Sequence, residues 1–226
     1  MPTVLVTGAN RGIGLELTRQ YAADGGAVHA TARRPDGADA LRAVSGDVTV
    51  HALDATDHGG IDALAAALDG PIDIVVANAG VYGPKGDAQS IGSLDYDAMR
   101  AALETNTLGA LKTLEAFLPH AERASGTLAA VTSKMGSVAD ASSGAVIYRV
   151  SKAALNMGVA MMAPAAKERG VAVALIHPGW VRTDMGGEGG LVSAGESAEG
   201  IRARIAEAAP ADKPRFVAFD GQDIPW

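Results

Sequence analysis

The stretch "TVLVTGANRGIG", residues 3–14, decides how this chain folds. A β-branched and aliphatic run gives way at Gly8 to a turn, and an amphipathic pattern opens near Gly12. Gly8, Gly12 and Gly14 are spaced G-x-x-x-G-x-G between the two. Glycines at such a junction permit a tight turn, let backbone N–H groups approach a pyrophosphate, and allow a helix to pack closely on its strand. The spacing differs from the commoner G-x-G-x-x-G, and a strand-to-helix turn with no ligand can also be glycine-rich.

Further along, short apolar runs at 3–7, 27–32, 48–53, 72–78, 126–133, 171–178 and 215–219 read as seven strands. They are apolar almost throughout rather than alternating, which suits strands covered on both faces. Helical patterns lie between them, near 12–24, 37–44, 59–69, 95–123, 147–169 and 196–208. The last begins with "SAGE", where Ser193 and Glu196 have capping-box spacing. Pro164 should kink or end the helix over 147–169. Strand and helix in alternation imply βαβ units and a doubly wound, seven-stranded parallel sheet flanked by helices, an α/β Rossmann fold. No linker, repeat or low-complexity segment divides residues 1–226, so a single domain is expected.

Composition narrows the function classes. The chain has 226 residues, 48% of them hydrophobic, and a formal net charge of −7. That charge argues against non-specific binding to nucleic acid or an anionic membrane. With aromatics at 4%, stacking platforms for single-stranded nucleic acid are not expected. There are no cysteines, hence no disulfide, thiolate metal site or cysteine nucleophile. No basic leader, cleavage site or membrane-length apolar run is visible, and cytoplasmic location is the default expectation. The five histidines, at 29, 51, 58, 120 and 177, lack metal-ligand spacing, so no metal site is expected. Carboxylates are scattered, and no G-x-S-x-G elbow is present.

The second strand ends in "HATARRP", which places Arg33 and Arg34 where an NAD site usually has a carboxylate for the ribose 2′-hydroxyl. Arg11 lies inside the glycine loop itself. Arginines at both places favour a 2′-phosphate through charge-assisted bonds, so NADP(H) is expected over NAD(H). The alternative is that all three are solvated surface residues. A second pair stands in "AVIYRVSKAAL", residues 145–155, where Tyr148 and Lys152 are one helical turn apart. They can be a core-edge tyrosine and a solvated lysine, or a proton donor with a cation that tunes it.

With "TGANRGIG", "ANAG" at 77–80, Asn106 in "ETNTLGAL", Ser133 in "VTSKMGS", "YRVSK" and "HPGWVRTDM" in that order, the chain resembles the short-chain dehydrogenase/reductase family over essentially its whole length. Within it, "RTDMGG" and the ending "DGQDIPW" resemble the small C-factor-like and sniffer-like carbonyl reductases. The resemblance implies a catalytic group of Asn106, Ser133, Tyr148 and Lys152. Tyrosine would deliver the proton, and a cation one turn away would lower its pKa from near 10. Lys152 would also bond the nicotinamide ribose, Ser133 would steady the developing alkoxide, and Asn106 would hold a relay water. Ser133 is preferred at the strand end, although Ser137, Ser142 and Ser143 share its loop.

Cofactor contacts follow from the same resemblance. Gly8, Asn10, Arg11, Gly12, Ile13 and Gly14 would surround the phosphates, with Arg33 and Arg34 at the 2′-phosphate. Asp54 and Ala55 would border the adenine, and Asn78, Ala79 and Gly80 the ribose side. Tyr148 and Lys152 would reach the nicotinamide half. Thr183 would bond the carboxamide, with Pro178, Gly179 and Val181 nearby. The family's "NNAG" here reads "ANAG", and Ala77 should affect the sheet more than activity.

The glycine-rich segment 183–200 would form a mobile substrate lid. The helical segments 95–123 and 147–169 carry extra apolar residues, among them Met157, Met161 and Met162, and the resemblance implies a homodimer or homotetramer through them, although some small carbonyl reductases are monomers. The expected function is NADPH-dependent reduction of a small-molecule ketone or aldehyde to an alcohol, or the reverse. The alternative is a signalling or regulatory protein that binds NAD(P)(H) with little turnover. A dehydratase or epimerase would bring an extended loop that is not seen.

Overall fold

A computed structural model describes residues 1–142 and 144–226. Among these, the seven expected strands form: β1 (Thr3–Val6), β2 (Ala27–Ala32), β3 (Val48–Ala52), β4 (Ile74–Ala77), β5 (Thr127–Val131), β6 (Ala172–His177) and β7 (Phe216–Ala218). All pair in parallel, in the order β3-β2-β1-β4-β5-β6-β7. Successive strand residues feed opposite layers, because side chains alternate across a strand. Leu5 joins a core with Ile61, Phe117 and Leu155, whereas Val4 and Val6 join one with Leu17, Leu41 and Ile201. With helices on both faces, most strand positions are apolar, and the central strands β4, β5 and β6 show no alternation in the sequence.

The flanking helices are α1 (Gly12–Ala23), α2 (Asp39–Arg42), α3 (His58–Ala67), α4 (Tyr96–Leu103), α5 (Gly109–Ala124), α6 (Val146–Glu168) and α7 (Ala194–Ala206). Three departures from the sequence reading matter. The helical pattern at 95–123 is two helices, separated by a π-turn over Glu104–Leu108. The helix expected to end or kink at Pro164 continues through it to Glu168, at the loss of one backbone donor. Met162 packs against the core rather than on the surface, while Met157 and Met161 are 63% and 68% exposed.

Strand order reverses direction between β1 and β4, which leaves a crevice at their carboxyl ends where ligands bind in such sheets. Thr7 ties the two strand ends together. Its buried hydroxyl accepts from the backbone N–H groups of Asn78 (3.0 Å) and Ala79 (3.1 Å). The Asn78 amide answers by donating to the Thr7 and Gly8 carbonyls at 2.9 and 3.2 Å.

Candidate active site

The crevice opens into a cleft of about 1130 Å³ that runs from Arg33 and Arg34, past the glycine loop, to Tyr148 and Lys152. Its wall at the loop is shaped by missing side chains. Gly8 and Gly12 have φ of +64° and +55°, a left-handed conformation that favours glycine. A Cβ on Gly14 would stand 2.5 Å from the Gly8 carbonyl oxygen and 2.6 Å from Asn78 Nδ2. Close approach of α1 to the strand ends therefore requires glycine there.

The start of α1 has no side-chain cap and no acidic residue in its first turn. By contrast, Asp57, Asp95 and Ser193 cap α3, α4 and α7, and the capping box with Glu196 is formed. The donors of α1 are left facing the cleft, as an anion site requires. Arg11 is paired with Asp184 at 2.5 Å, both well exposed, and Thr183 lies against Gly12. Asp54 bonds the Thr56 backbone and is held below the ordinary carboxylate range, mainly by that bond. Asn10, Ile13, Ala55, Asn78, Ala79, Gly80 and Pro178 also line this cleft. Gly179 packs on Phe219, and Val181 is buried beside a bridge to Val192, so these two stand back from it. The glycine cradle, the uncapped helix and the arginines fit a dinucleotide phosphate.

At the inner end, Tyr148 and Lys152 are both buried, and Lys152 Nζ donates to the Val131 carbonyl at 3.0 Å. The ammonium lies 5.9 Å from the Tyr148 ring centroid. Burial lowers the Lys152 pKa to about 8. Tyr148 is pushed up to about 12, chiefly by burial, while a hydrogen bond with Ser133 pulls it down and the nearby Tyr82 phenol pushes it up. The expected lowering of the tyrosine pKa by Lys152 is thus not what this geometry gives: desolvation prevails, and the cation is turned to a carbonyl.

Of the loop serines, buried Ser133 is the one whose hydroxyl favours the ionised form of the Tyr148 phenol. Ser137 instead accepts from the Asp140 backbone, and Ser142 accepts from Arg149. Ser143 lies outside the described residues. Gly136 brings the Ser133 loop against α6, since a Cβ there would meet the Lys152 backbone carbon at 2.7 Å.

Asn106 is fully buried on the π-turn. Such turns are frequent at functional sites. Its amide donates to the Val81 carbonyl (2.8 Å) and Ser151 Oγ (2.9 Å), and its Oδ1 accepts from the Val81 N–H at 2.7 Å. A Cβ on Gly80 would lie 3.2 Å from Asn106 Oδ1 and 3.7 Å from Lys152 Nζ, so glycine lets the strand end pass close to both.

Sequence reasoning passed over Tyr82, whose ring lies 5.0 Å from that of Tyr148, and Thr7. The first carries no motif, and the second is one β-branched residue in an apolar strand. The expected lid is a folded turn: Trp180 donates to Gly186 at 2.8 Å and Arg182 to Gly190 at 3.1 Å. Residues 194–200 belong to α7, because the Ser193–Glu196 box starts the helix there. His29 and His51 approach to 3.1 Å, but among the described residues no group of three metal-ligating side chains exists.

A doubly wound sheet whose switch-point cleft joins a glycine loop to a buried Ser–Tyr–Lys cluster defines a Rossmann-fold oxidoreductase. The chain belongs to the short-chain dehydrogenase family, whose profile matches residues 2–190. It is 37% identical over 235 aligned residues to 1-hydroxy-2-glutathionyl-2-methyl-3-butene dehydrogenase of Rhodococcus sp. (strain AD45), covering 100% of both chains. It is 40% identical over 159 residues to the C-signal protein of Myxococcus xanthus, covering 70% of this chain and 94% of that one. Among solved structures, NADPH-bound carbonyl reductase from chicken fatty liver superposes with a TM-score of 0.91 at 30% identity, covering 100% of this chain and 99% of that one.

Proposed function

We propose that the protein is an NADP(H)-dependent carbonyl reductase of the cytoplasm that converts a ketone or aldehyde to an alcohol. The observation that carries this reading is the pair of buried side chains Tyr148 and Lys152, one helical turn apart at the inner end of the cleft that begins at the glycine loop. Held along the glycine loop and at Arg33 and Arg34, NADPH would supply the hydride for the carbonyl carbon. Tyr148 donates its proton to the carbonyl oxygen, so C=O becomes CH–OH. A phenol held well above neutrality keeps its proton at pH 7, which suits the reductive direction. Ser133 donates a hydrogen bond that stabilises charge growing on that oxygen. Lys152 has donors beyond the one given to Val131, and these would hold the cofactor ribose.

The cofactor preference rests on Arg33 and Arg34, exposed on the cleft rim. Arg33→Ala is expected to raise the KM for NADPH about tenfold or more, the scale of a lost charged hydrogen bond, with little change for NADH. Arg11→Ala should do less, because Asp184 already holds that guanidinium. Steady-state kinetics with both cofactors check this, and equal effects on the two would contradict the NADP(H) assignment. Met185 lines the cleft, Trp180 is exposed on the same turn, and the Tyr82 ring lies 5.0 Å from that of the proton donor, so large or aromatic carbonyl compounds are expected substrates.

Likeness to C-signal favours one other reading, a signalling protein that binds NAD(P)(H) and turns over slowly. Such a role needs no buried Ser–Tyr–Lys group, and carbonyl-dependent NADPH oxidation separates the two. Exposed Met157 and Met161 on α6, with Leu108 at the start of α5, support a homodimer or homotetramer through these helices. Light scattering is expected to give the mass of two or four chains, and a single-chain mass would contradict the assembly.

A further inference from the structure

The loop between β4 and α4 holds a buried amide that no motif marks. Gln89 closes a short 3-10 turn, Gly86–Gln89, and is 2% exposed. Both N–H groups of its side chain are used, on the carbonyls of Tyr82 (3.2 Å) and Pro84 (2.6 Å). Its Oε1 accepts the backbone N–H of Tyr148 at 3.1 Å, across 59 positions of sequence.

That N–H lies in the first turn of α6, where donors have no partner within the helix. The residue before the helix, Ala145, has no capping side chain and sits at φ +51°. α3 and α4 take caps from the adjacent Asp57 and Asp95. α6 takes its acceptor from a distant loop instead. The same amide fixes the segment that carries Tyr82, whose ring covers Tyr148 at 5.0 Å and 34°.

We propose that Gln89 is a positioning residue, a single buried amide that fixes both the backbone of the proton donor Tyr148 and the aromatic ring that shields it. The inference rests on the reading of Tyr148 as the acid. The groups that face the Tyr148 phenol are Tyr82 from this loop, Ser133 from the loop after β5, and Lys152 of α6 itself. Of these, the clamp controls Tyr82. Loss of the clamp frays the first turn of α6 and lets Tyr82 swing away, so water reaches the phenol. Ionisation of Tyr148, now held near 12 chiefly by burial, then moves down towards 10.

The test is a phenolate-absorbance titration of the protein without cofactor, with Tyr148→Phe subtracted to isolate this residue, together with steady-state kinetics. Wild type is expected to show no Tyr148 ionisation below about pH 11, whereas Gln89→Met shows it. The variant should lose about tenfold or more in kcat, the scale on which positioned acids act, while the KM for NADPH stays within about twofold. Tyr82→Leu should behave alike, and the double variant should be no worse than either single one, as expected for residues acting as one unit. If Gln89→Met does not accumulate as folded protein, Gln89→Asn, with its shorter reach, replaces it with the same expectation. An unchanged titration with kcat within about twofold of wild type overturns the proposal. The titration needs no turnover. A wild-type protein that reduces no carbonyl would therefore count against the functional reading, while Gln89 is still judged by the phenol.

Discussion

Tyr148→Phe is expected to cut carbonyl reduction by about 10²–10⁴-fold, the range removed with a positioned general acid, while NADPH binding stays within a few-fold. The hydroxyl is the only atom lost, and it holds the proton the alkoxide needs. Its surroundings point the same way: burial pushes the phenol up to about 12. At pH 7 the wild-type group is protonated in nearly every molecule, ready to donate. Ring packing with Tyr82 survives in phenylalanine, so the fold should tolerate the change. Activity assays with cofactor-fluorescence titration separate the two effects. Full activity in this variant would show that the proton comes from elsewhere.

Lys152→Met is expected to move activity and stability in opposite directions. Without cofactor, the ammonium is buried with a carbonyl as its hydrogen-bond partner, and its pKa falls from 10.5 to about 8. Between these values the unfolded chain binds the proton and the folded one does not, so stability rises with pH across that window. Below pH 8 the folded protein bears the whole cost of the buried charge, of order 3 kcal/mol. Methionine removes that cost but leaves the Val131 carbonyl without its donor, a loss of about 1 kcal/mol. At neutral pH, Tm should therefore rise by several degrees, at roughly 2–4 °C per kcal/mol. The pH dependence between 8 and 10.5 should flatten. Reduction should fall by about 10²-fold or more, because the cofactor loses a charged anchor next to the acid. Calorimetry across pH checks the stability half. A lower Tm with unchanged pH dependence would mean that the lysine is not buried as described.

Most of the fold was legible because its signals are local. Doubly covered strands leave continuous apolar runs, and Gly8, Gly12 and Gly14 mark a turn that only small residues permit. The Ser193–Glu196 box could be read for the same reason. Signals that depend on partners distant in sequence were not legible. The π-turn at Asn106 inserts one residue into a helical pattern without breaking its apolar spacing. Pro164 was expected to kink or end its helix, and the helix does not end there, because packing of α6 along the core carries it on to Glu168. Spacing marked Tyr148 and Lys152 as a pair, and the family resemblance gave them their roles. Their titration was misjudged, because spacing shows the cation but not the burial, which acts more strongly on both groups. Gln89 gave no signal at all, since its partners stand 5, 7 and 59 positions away and none belongs to a motif.

The central claim is reduction of a carbonyl group with NADPH. Its most direct measurement is the loss of NADPH absorbance by wild-type protein against a panel of aldehydes, ketones and diketones, with a parallel NADH arm. Carbonyl-dependent oxidation of NADPH, faster than that of NADH and fastest with bulky or aromatic substrates, is the predicted result. No carbonyl-dependent oxidation of either cofactor across the panel would contradict it.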